Sequence, residues 1–229
     1  MFKPSDLFDL STWQFRDIFD RLDYAWSALP AIHDYVLGLI GRTGTRKPAL
    51  PGVHYLGEEI FIHPDAVVEP NVYIKAPVYV DAGVEIRSGA YIRGDALIST
   101  GAIVGHSTEV KNSIFLPDAH APHFNYVGDS ILGRHTNLGA GTKLSNWKIA
   151  ADKTIHIKLE GQDIDTGLNK FGAILGDGAE MGCNSVANPG TVIGRGTLVY
   201  ACAAIRGYFP PNHIVKLQQQ FLVVEKRPD

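Results

Sequence analysis

Cysteine is scarce: the 229 residues include only Cys183 and Cys202. Two thiols make no disulfide framework, and without histidines at ligand spacing they make no structural zinc site. Long apolar runs are missing as well; nothing approaches the ~18 residues of a membrane span. The opening MFKPSDLFDL has no basic stretch followed by an apolar one, so no secretory signal is expected and the cytoplasm is the expected location. A surplus of one charge is also lacking. The 21 Lys and Arg against 24 Asp and Glu leave −3, which gives no basic footprint for nucleic acid or an anionic membrane. With 45% hydrophobic and 20% charged residues the composition is that of a globular chain rather than a disordered one. Glycine is plentiful, at 24 residues, and its placement follows a rule.

Residues 1–50 read as a helical segment. LFDLSTWQFRDIFDRLDYAW mixes Leu, Phe and Trp with Asp and Arg at helix-like spacing, with Ser11 or Thr12 as a helix cap. Pro30 interrupts, and HDYVLGLIGR reads as a second short helix. RTGTRKPALPG (42–52) is a linker by composition. The aromatics Phe8, Trp13, Phe15, Phe19 and Trp26 are expected to pack against the rest of the protein or a sister subunit rather than form a ligand site.

From Ile62 onward the period becomes six. Ile62, Val68, Ile74, Val80, Ile86, Ile92, Ile98, Val104, Val110 and Leu116 are all Ile, Leu or Val. Turn formers such as Asp65, Asn71, Gly83 and Gly89 follow three positions after the anchors, and small or β-branched residues four after. The pattern resumes at Leu132, Leu138 and Leu144, and again from Leu175 through Met181, Ala187, Ile193 and Val199 to Ile205. Each hexad is then one flat side with its aliphatic anchor pointing inward. Three sides close a coil of 18 residues, and coils stack at ~4.8 Å, the spacing of paired strands. The expected fold is all-β, a parallel β-helix spanning residues 51–210, followed by a tail over 211–229.

Residues 18 apart should stand one above another. Lys75, Arg93 and Lys111 obey that spacing and form an outward basic column, either a solvated edge or a phosphate clamp. The repeat breaks twice. Between Leu116 and Tyr126 four extra residues are counted, so 117–125 is expected as a loop thrown out of the coil, carrying His120 and His123. Residues 147–173 contain alternating TIHIKL, a Glu-Gly turn and polar DIDTG, which reads as a hairpin-like arm followed by a loop. The apolar FLVV of the tail is expected to pair with the arm or another subunit. The N-terminal helices and the arm are expected to cover the subunit seam or the open end of the coil, where unpaired edges invite aggregation.

HFNYVGDSILGRHTNLGAGT (123–142) with Asn146, and NKFGAILGDGAEMGCNSVANPGTVIGRGT (169–197), resemble the acetyltransferase domain of the bifunctional glucosamine-1-phosphate acetyltransferase/N-acetylglucosamine-1-phosphate uridyltransferase family. The resemblance covers residues 60–208, and no uridyltransferase half is expected in residues 1–50. It implies a left-handed coil and an N-acetyltransferase that moves acetyl from acetyl-CoA to the amine of a hexosamine 1-phosphate, for UDP-N-acetylhexosamine synthesis. On this resemblance His123 matches the catalytic base, a task suited to an imidazole with its unperturbed pKa of ~6.5. Arg93 and Lys111 match the pair that holds the sugar phosphate, which favours the clamp. Tyr126, Asn137 and Lys170 match further sugar-phosphate contacts, and Ala140, Asn146, Cys183 and Ala201 match contacts to acetyl-CoA. No metal is expected for acetyl transfer. The resemblance implies a homotrimer with active sites at the subunit seams, and leaves room for a separate nucleotidyltransferase as partner.

Two residues depart from the family pattern. Cys183 stands where serine is usual and is expected as a buried structural thiol; Trp147 stands where tyrosine is usual. The arginine that grips coenzyme A cannot be placed, Arg206 and Arg195 being candidates. His106 and His135 with His123 suggest the zinc site of hexapeptide-type carbonic anhydrases, but the close histidine pair is three apart here rather than five. The fold also accommodates an O-acyltransferase acting on a nucleotide sugar, or a non-catalytic β-helix partner of a sugar nucleotidyltransferase.

Overall fold

Inward aliphatics six residues apart close a three-sided coil. The computed structural model describes residues 2–159, 161–220 and 222–226. Within them the chain winds as a left-handed parallel β-helix, eight strands deep on each face. The first face runs from Val53–Leu56 to Ala204–Ile205, the second from Ile60–Ile62 to Tyr208–Phe209, and the third from Val67–Val68 to Ile214–Val215. The anchors from Ile62 to Val110, and again from Leu132 to Ile205, point inward. Most are wholly buried there, because the three sides close on one another and leave no room for water inside.

The first break in the repeat is the reverse of the expected one. Residues 117–125 are not thrown out of the coil: His120–His123 is a strand of the third face, paired with Ile103–His106 and Asn137–Leu138. The register there is 17 residues, Glu109 pairing with Tyr126 and Ile103 with His120, where 18 is the commonest offset, as between Glu85 and Ile103. One residue is lost from each of two successive turns, two in all, rather than four gained. The turn after Arg93 uses two left-handed residues, Gly94 (φ 100°) and Asp95 (φ 53°), whereas the turns after Lys111 and Gly128 use one each, Asn112 (φ 44°) and Asp129 (φ 46°). Strands Glu109–Phe115 and Tyr126–Leu132 therefore run across the corner unbroken. Phe115, not Leu116, is the inward residue, and Leu116 joins an apolar cluster outside the coil.

That outer cluster corrects the reading of residues 1–50. Only Pro4–Leu7 and Ile32–Thr43 are α-helical; Arg16–Phe19 and Ala25–Ala31 are 3-10 turns, the latter containing Pro30. No helix starts at Ser11 or Thr12. Trp13 Nε1 donates to Ser99 Oγ at 3.0 Å and Gln14 Nε2 to Asp81 Oδ2 at 2.7 Å, so tertiary bonds hold this stretch on the coil. The segment lies along a side of the coil rather than over its open end. It covers the second face, whose outward ladder is apolar throughout: Phe61, Tyr79, Leu97, Ile114, Ile131, Ile174, Val192 and Tyr208 stack in register. Each fully buried rung contributes about 1.5–3 kcal/mol, enough to hold a segment with little regular structure of its own.

His33 on the docked helix sits with Nδ1 2.6 Å from Asp95 Oδ1, and that hydrogen bond raises the His33 pKa above 6.5. A raised histidine pKa means its contribution is full below the unfolded value and is lost as pH rises through the folded one. By NMR we expect a His33 titration midpoint above 6.5 that falls back in Asp95→Asn; an unchanged midpoint defeats this assignment.

The second break is the expected arm. Strands His156–Leu159 and Gln162–Asp165 pair antiparallel, Trp147 bridges Lys170 at the base, and the coil resumes with Ala173–Leu175. Ile155 and Ile157 pack into the outer cluster near Gly190. The tail begins later than expected, because Ile214–Val215 still pairs with Leu198–Val199. Of the FLVV stretch, Phe221 lies outside the described residues and 222–226 form no strand.

Candidate active site

The 18- and 17-residue offsets place side chains of the first face in columns. Tyr73 pairs with Tyr91, Val110 with Ile92, and Lys111 with Gly128, so Lys75, Arg93 and Lys111 stand on successive rungs as their spacing required. Two of the three carry acids of their own. Arg93 Nη1 lies 2.7 Å from Glu109 Oε1, a hydrogen bond that raises the arginine pKa. Lys111 Nζ lies 3.4 Å from Asp129 Oδ2. These pairings relieve the repulsion that a bare column would suffer.

Arg93, Lys111, Tyr126, Asn146, Trp147 and Lys170 line one cavity of about 330 Å³. The base of the arm contributes Trp147 and Lys170. The indole is 46% exposed, with the Lys153 and Lys170 ammonium groups 4.8 and 5.7 Å from its ring centre. Asn146, expected as a coenzyme contact, lines this cavity too: Tyr126 Oη donates to Asn146 Oδ1 at 3.3 Å. Burial, with Glu109 and Asp129 nearby, pushes the Tyr126 pKa up, so the phenol stays a donor.

The short motif Y-x-G-D now has physical reasons. Asp129 is 4% exposed and accepts from Asn112 Nδ2 at 2.9 Å and from Asn146 Nδ2, besides facing Lys111. A buried carboxylate needs such partners, and in return it orients Lys111 and Asn146. The sequence reading assigned no role to Asp129; its place between Tyr126 and the next anchor was the available signal. Gly128 forms the floor. A Cβ there would lie 2.6 Å from Tyr126 Oη and 2.8 Å from Asn146 Nδ2. We therefore expect Gly128→Ala to leave the melting temperature within a few degrees while raising the acceptor KM about tenfold, by displacing both side chains. An unchanged KM would show that neither is a ligand contact.

Asn137 is not in this cavity. It shares a second one, of about 360 Å³, with Gly139, Met181, Cys183, Leu198 and Ala201 on and beside the third face. Ala140 follows Gly139 and accepts from the Asn184 amide at 2.8 Å. Cys183 is exposed rather than buried, which corrects its reading as a core thiol. His123 lines neither cavity of the single chain. It ends the third-face strand, exposed, beside His106, with its amide donating to Asn125 Oδ1 at 3.0 Å and its carbonyl accepting from Gly141. Gly105 lies directly beneath: a Cβ there would sit 1.8 Å from the Pro122 carbonyl oxygen, so only glycine admits this strand so close. His106 Nδ1 is 2.7 Å from the Ser88 carbonyl, and His135 Nδ1 is 3.6 Å from Asp118. Among the described residues no three His, Cys, Asp or Glu come together as a metal-holding group. No helix among them is long and apolar enough to cross a membrane.

A family profile described as the GMPPB C-terminal domain matches residues 74–161. The bifunctional protein GlmU of Methanococcus maripaludis is 33% identical over 123 residues, which are 54% of this chain and 29% of that protein. Over the matched residues the chain is similar to GlmU-type proteins. The bifunctional sugar-1-phosphate nucleotidylyltransferase/acetyltransferase of Sulfurisphaera tokodaii is 34% identical over 102 residues, 44% of this chain and 25% of that protein. The matched part thus spans under a third of either relative. Among solved structures, PerB from Caulobacter crescentus in complex with CoA and GDP-perosamine is 24% identical over 71% of this chain and 54% of its own, with a TM-score of 0.24. At that score the likeness carries no further argument.

Proposed function

We propose that this chain is an acetyl-CoA-dependent acetyltransferase acting on a sugar phosphate, specifically on the amine of a hexosamine 1-phosphate such as glucosamine 1-phosphate. The supporting observation is the single cavity that gathers Arg93, Lys111, Tyr126, Asn146 and Lys170 on the first face. Three cations against the two acids Glu109 and Asp129 suit an acceptor bearing a phosphate. Asp129, already held by two amides, keeps Lys111 aimed. Arg93 exchanges Glu109 for the phosphate, a trade of one anion for another.

His123 takes the proton from the amine as its nitrogen attacks the thioester carbon, and the sulfur leaves as the coenzyme thiol once protonated. For this step His123 must approach the cavity from outside the protomer. The N-terminal segment occupies the second face, so the first and third faces and the corner between them remain for neighbours. That corner carries His123. Exposed Tyr73 and Tyr91 on the first face, and Val67 and Leu198 on the third, are the apolar groups such a contact buries. Three copies around an axis near that corner set the first face of one protomer against the third face of the next, which joins the two cavities into one seam. The second cavity, with Cys183 and Ala201, then suits the thioester arm.

The test is release of coenzyme thiol with a panel of acceptors: glucosamine 1-phosphate, galactosamine 1-phosphate, free glucosamine and a UDP-linked amino sugar. We expect turnover with a 1-phosphate and a kcat/KM at least about 100-fold lower with the free amine, the loss of a charge-assisted phosphate clamp. Equal rates with free glucosamine defeat the reading; preference for the UDP-linked sugar moves it to sugar nucleotides.

A further inference from the structure

His123 does not stand alone on its corner. Its direct partner on the neighbouring rung is His106, and a left-handed residue follows each, Phe124 (φ 52°) and Ser107 (φ 52°). At an 18-residue offset His123 would lie over Gly105; the shortened turn sets it over His106 instead. Both imidazoles are exposed, and they leave the coil at the same point of the turn, one rung of ~4.8 Å apart.

The two rings are held differently. His106 Nδ1 lies 2.7 Å from the Ser88 carbonyl oxygen on the next rung down. A carbonyl only accepts, so Nδ1 carries the proton and Nε2 of the neutral ring is an acceptor. Ser107 Oγ donates to that nitrogen at 3.3 Å, a long contact, and Phe124 packs edge-to-face on the ring at 5.1 Å between centres. The His106 ring is thus fixed by three neighbours. Among the described residues the His123 ring has no hydrogen bond or ion pair, and no bond joins the two rings in the free chain.

We propose that His106 is the positioning residue for the acetyl-transfer base: its Nε2 accepts from His123 Nδ1–H, which leaves His123 Nε2 bare to take the amine proton. This rests on His123 being the base proposed above. An imidazole free to turn offers either nitrogen; one that donates to a fixed acceptor offers only the other. The new bond replaces only the long Ser107 contact, and catalytic hydrogen bonds often close only with substrate bound. His106 touches no substrate and passes on no proton. It must be neutral to accept, and a proton on it would repel the imidazolium that forms on His123. Turnover therefore needs two neutral imidazoles. Other charged groups at this corner are already partnered: Glu69 accepts from the Ser88 amide at 2.7 Å, and Arg87 lies 2.8 Å from Glu85. His120, three residues back on the His123 strand, pairs with Asn137.

The test is the pH dependence of kcat with acetyl-CoA and glucosamine 1-phosphate for the native chain, His106→Ala and His106→Gln. The acidic limb of log kcat should approach a slope of two in the native chain and one in both variants. His106→Ala should lower kcat about 10- to 100-fold with both KM values little changed, the effect of a misaligned base. His106→Gln, whose amide oxygen can stand where Nε2 stood but does not titrate, should restore most of kcat while keeping the slope of one. Added to His123→Ala, His106→Ala should cost nothing further, because its effect passes through His123. The inference is overturned if the native limb has the same slope as that of His106→Ala, if Gln rescues no better than Ala, or if the two alanine losses add in full. His123→Ala separates the two readings. Native activity in that variant removes the base, and this inference with it; loss there, with His106→Ala as active as native, removes His106 alone.

Discussion

Replacing His123 with alanine lowers kcat about 10²- to 10⁴-fold, the usual contribution of a positioned general base, while the fold is retained. The second half of that expectation follows from the strand. His123 is held by its backbone, between the Asn125 side chain and the Gly141 amide, and its ring is exposed. Removing the ring therefore opens no cavity and orphans no backbone group. Activity in the variant within a few-fold of native would remove His123 from the mechanism. A second arm tests where the base comes from. If His123 of one protomer serves the Lys111 cavity of the next, co-expressed His123→Ala and Lys111→Ala chains recover part of the activity that each lacks alone. Were His123 and Lys111 of one chain to serve the same site, no mixture of the two would regain it.

Trp26→Ala should cost about 3–5 kcal/mol of stability, as large-to-small changes of fully buried aromatics do, and lower the melting temperature by roughly 10 °C in a chain of this size. Trp26 is 1% exposed at the centre of the outer cluster, stacked on Tyr24 at 4.5 Å and in contact with Phe2 at 5.3 Å and Phe171 at 6.0 Å. Tyr24, 37% exposed, is the control: Tyr24→Ala should cost a fraction as much. If the two substitutions cost the same, the N-terminal segment is not docked on the second face as described. The change should also reach the site. Phe171 follows Lys170, and its amide donates to the Asn146 carbonyl at 3.2 Å, so a loosened Phe171 frees two residues that line the Arg93–Lys111 cavity.

The coil was legible because its signal is local. An inward aliphatic every sixth residue reports burial directly, and from Ile62 to Val110 each expected anchor points inward. The basic column was legible for the same reason, since equal spacing becomes vertical alignment once the coil is known. The error came where the register changed. Val110 to Phe115 and Val127 to Leu132 are five-residue sides, and a strict count of six turns the two missing residues into a four-residue inserted loop. Asn112 and Asp129, two residues that tolerate left-handed backbone, were the available sign. The outer ladder was also present in the sequence, one residue before the anchors Ile62, Val80 and Ile98, but it shows as a column only in register.

The order of the chain by itself determined the coil, its inward residues, the hairpin arm and the alignment of Arg93 with Lys111, because each depends on neighbours within about one turn. Only the tertiary structure decided that the N-terminal segment lies on the second face, that Asp129 holds Lys111 and Asn146, and that Asn137 and His123 stand apart from the Arg93–Lys111 cavity. These depend on contacts between residues tens of positions apart, whose distance is set by stacked coils and the 43-residue step across the arm rather than by any local period.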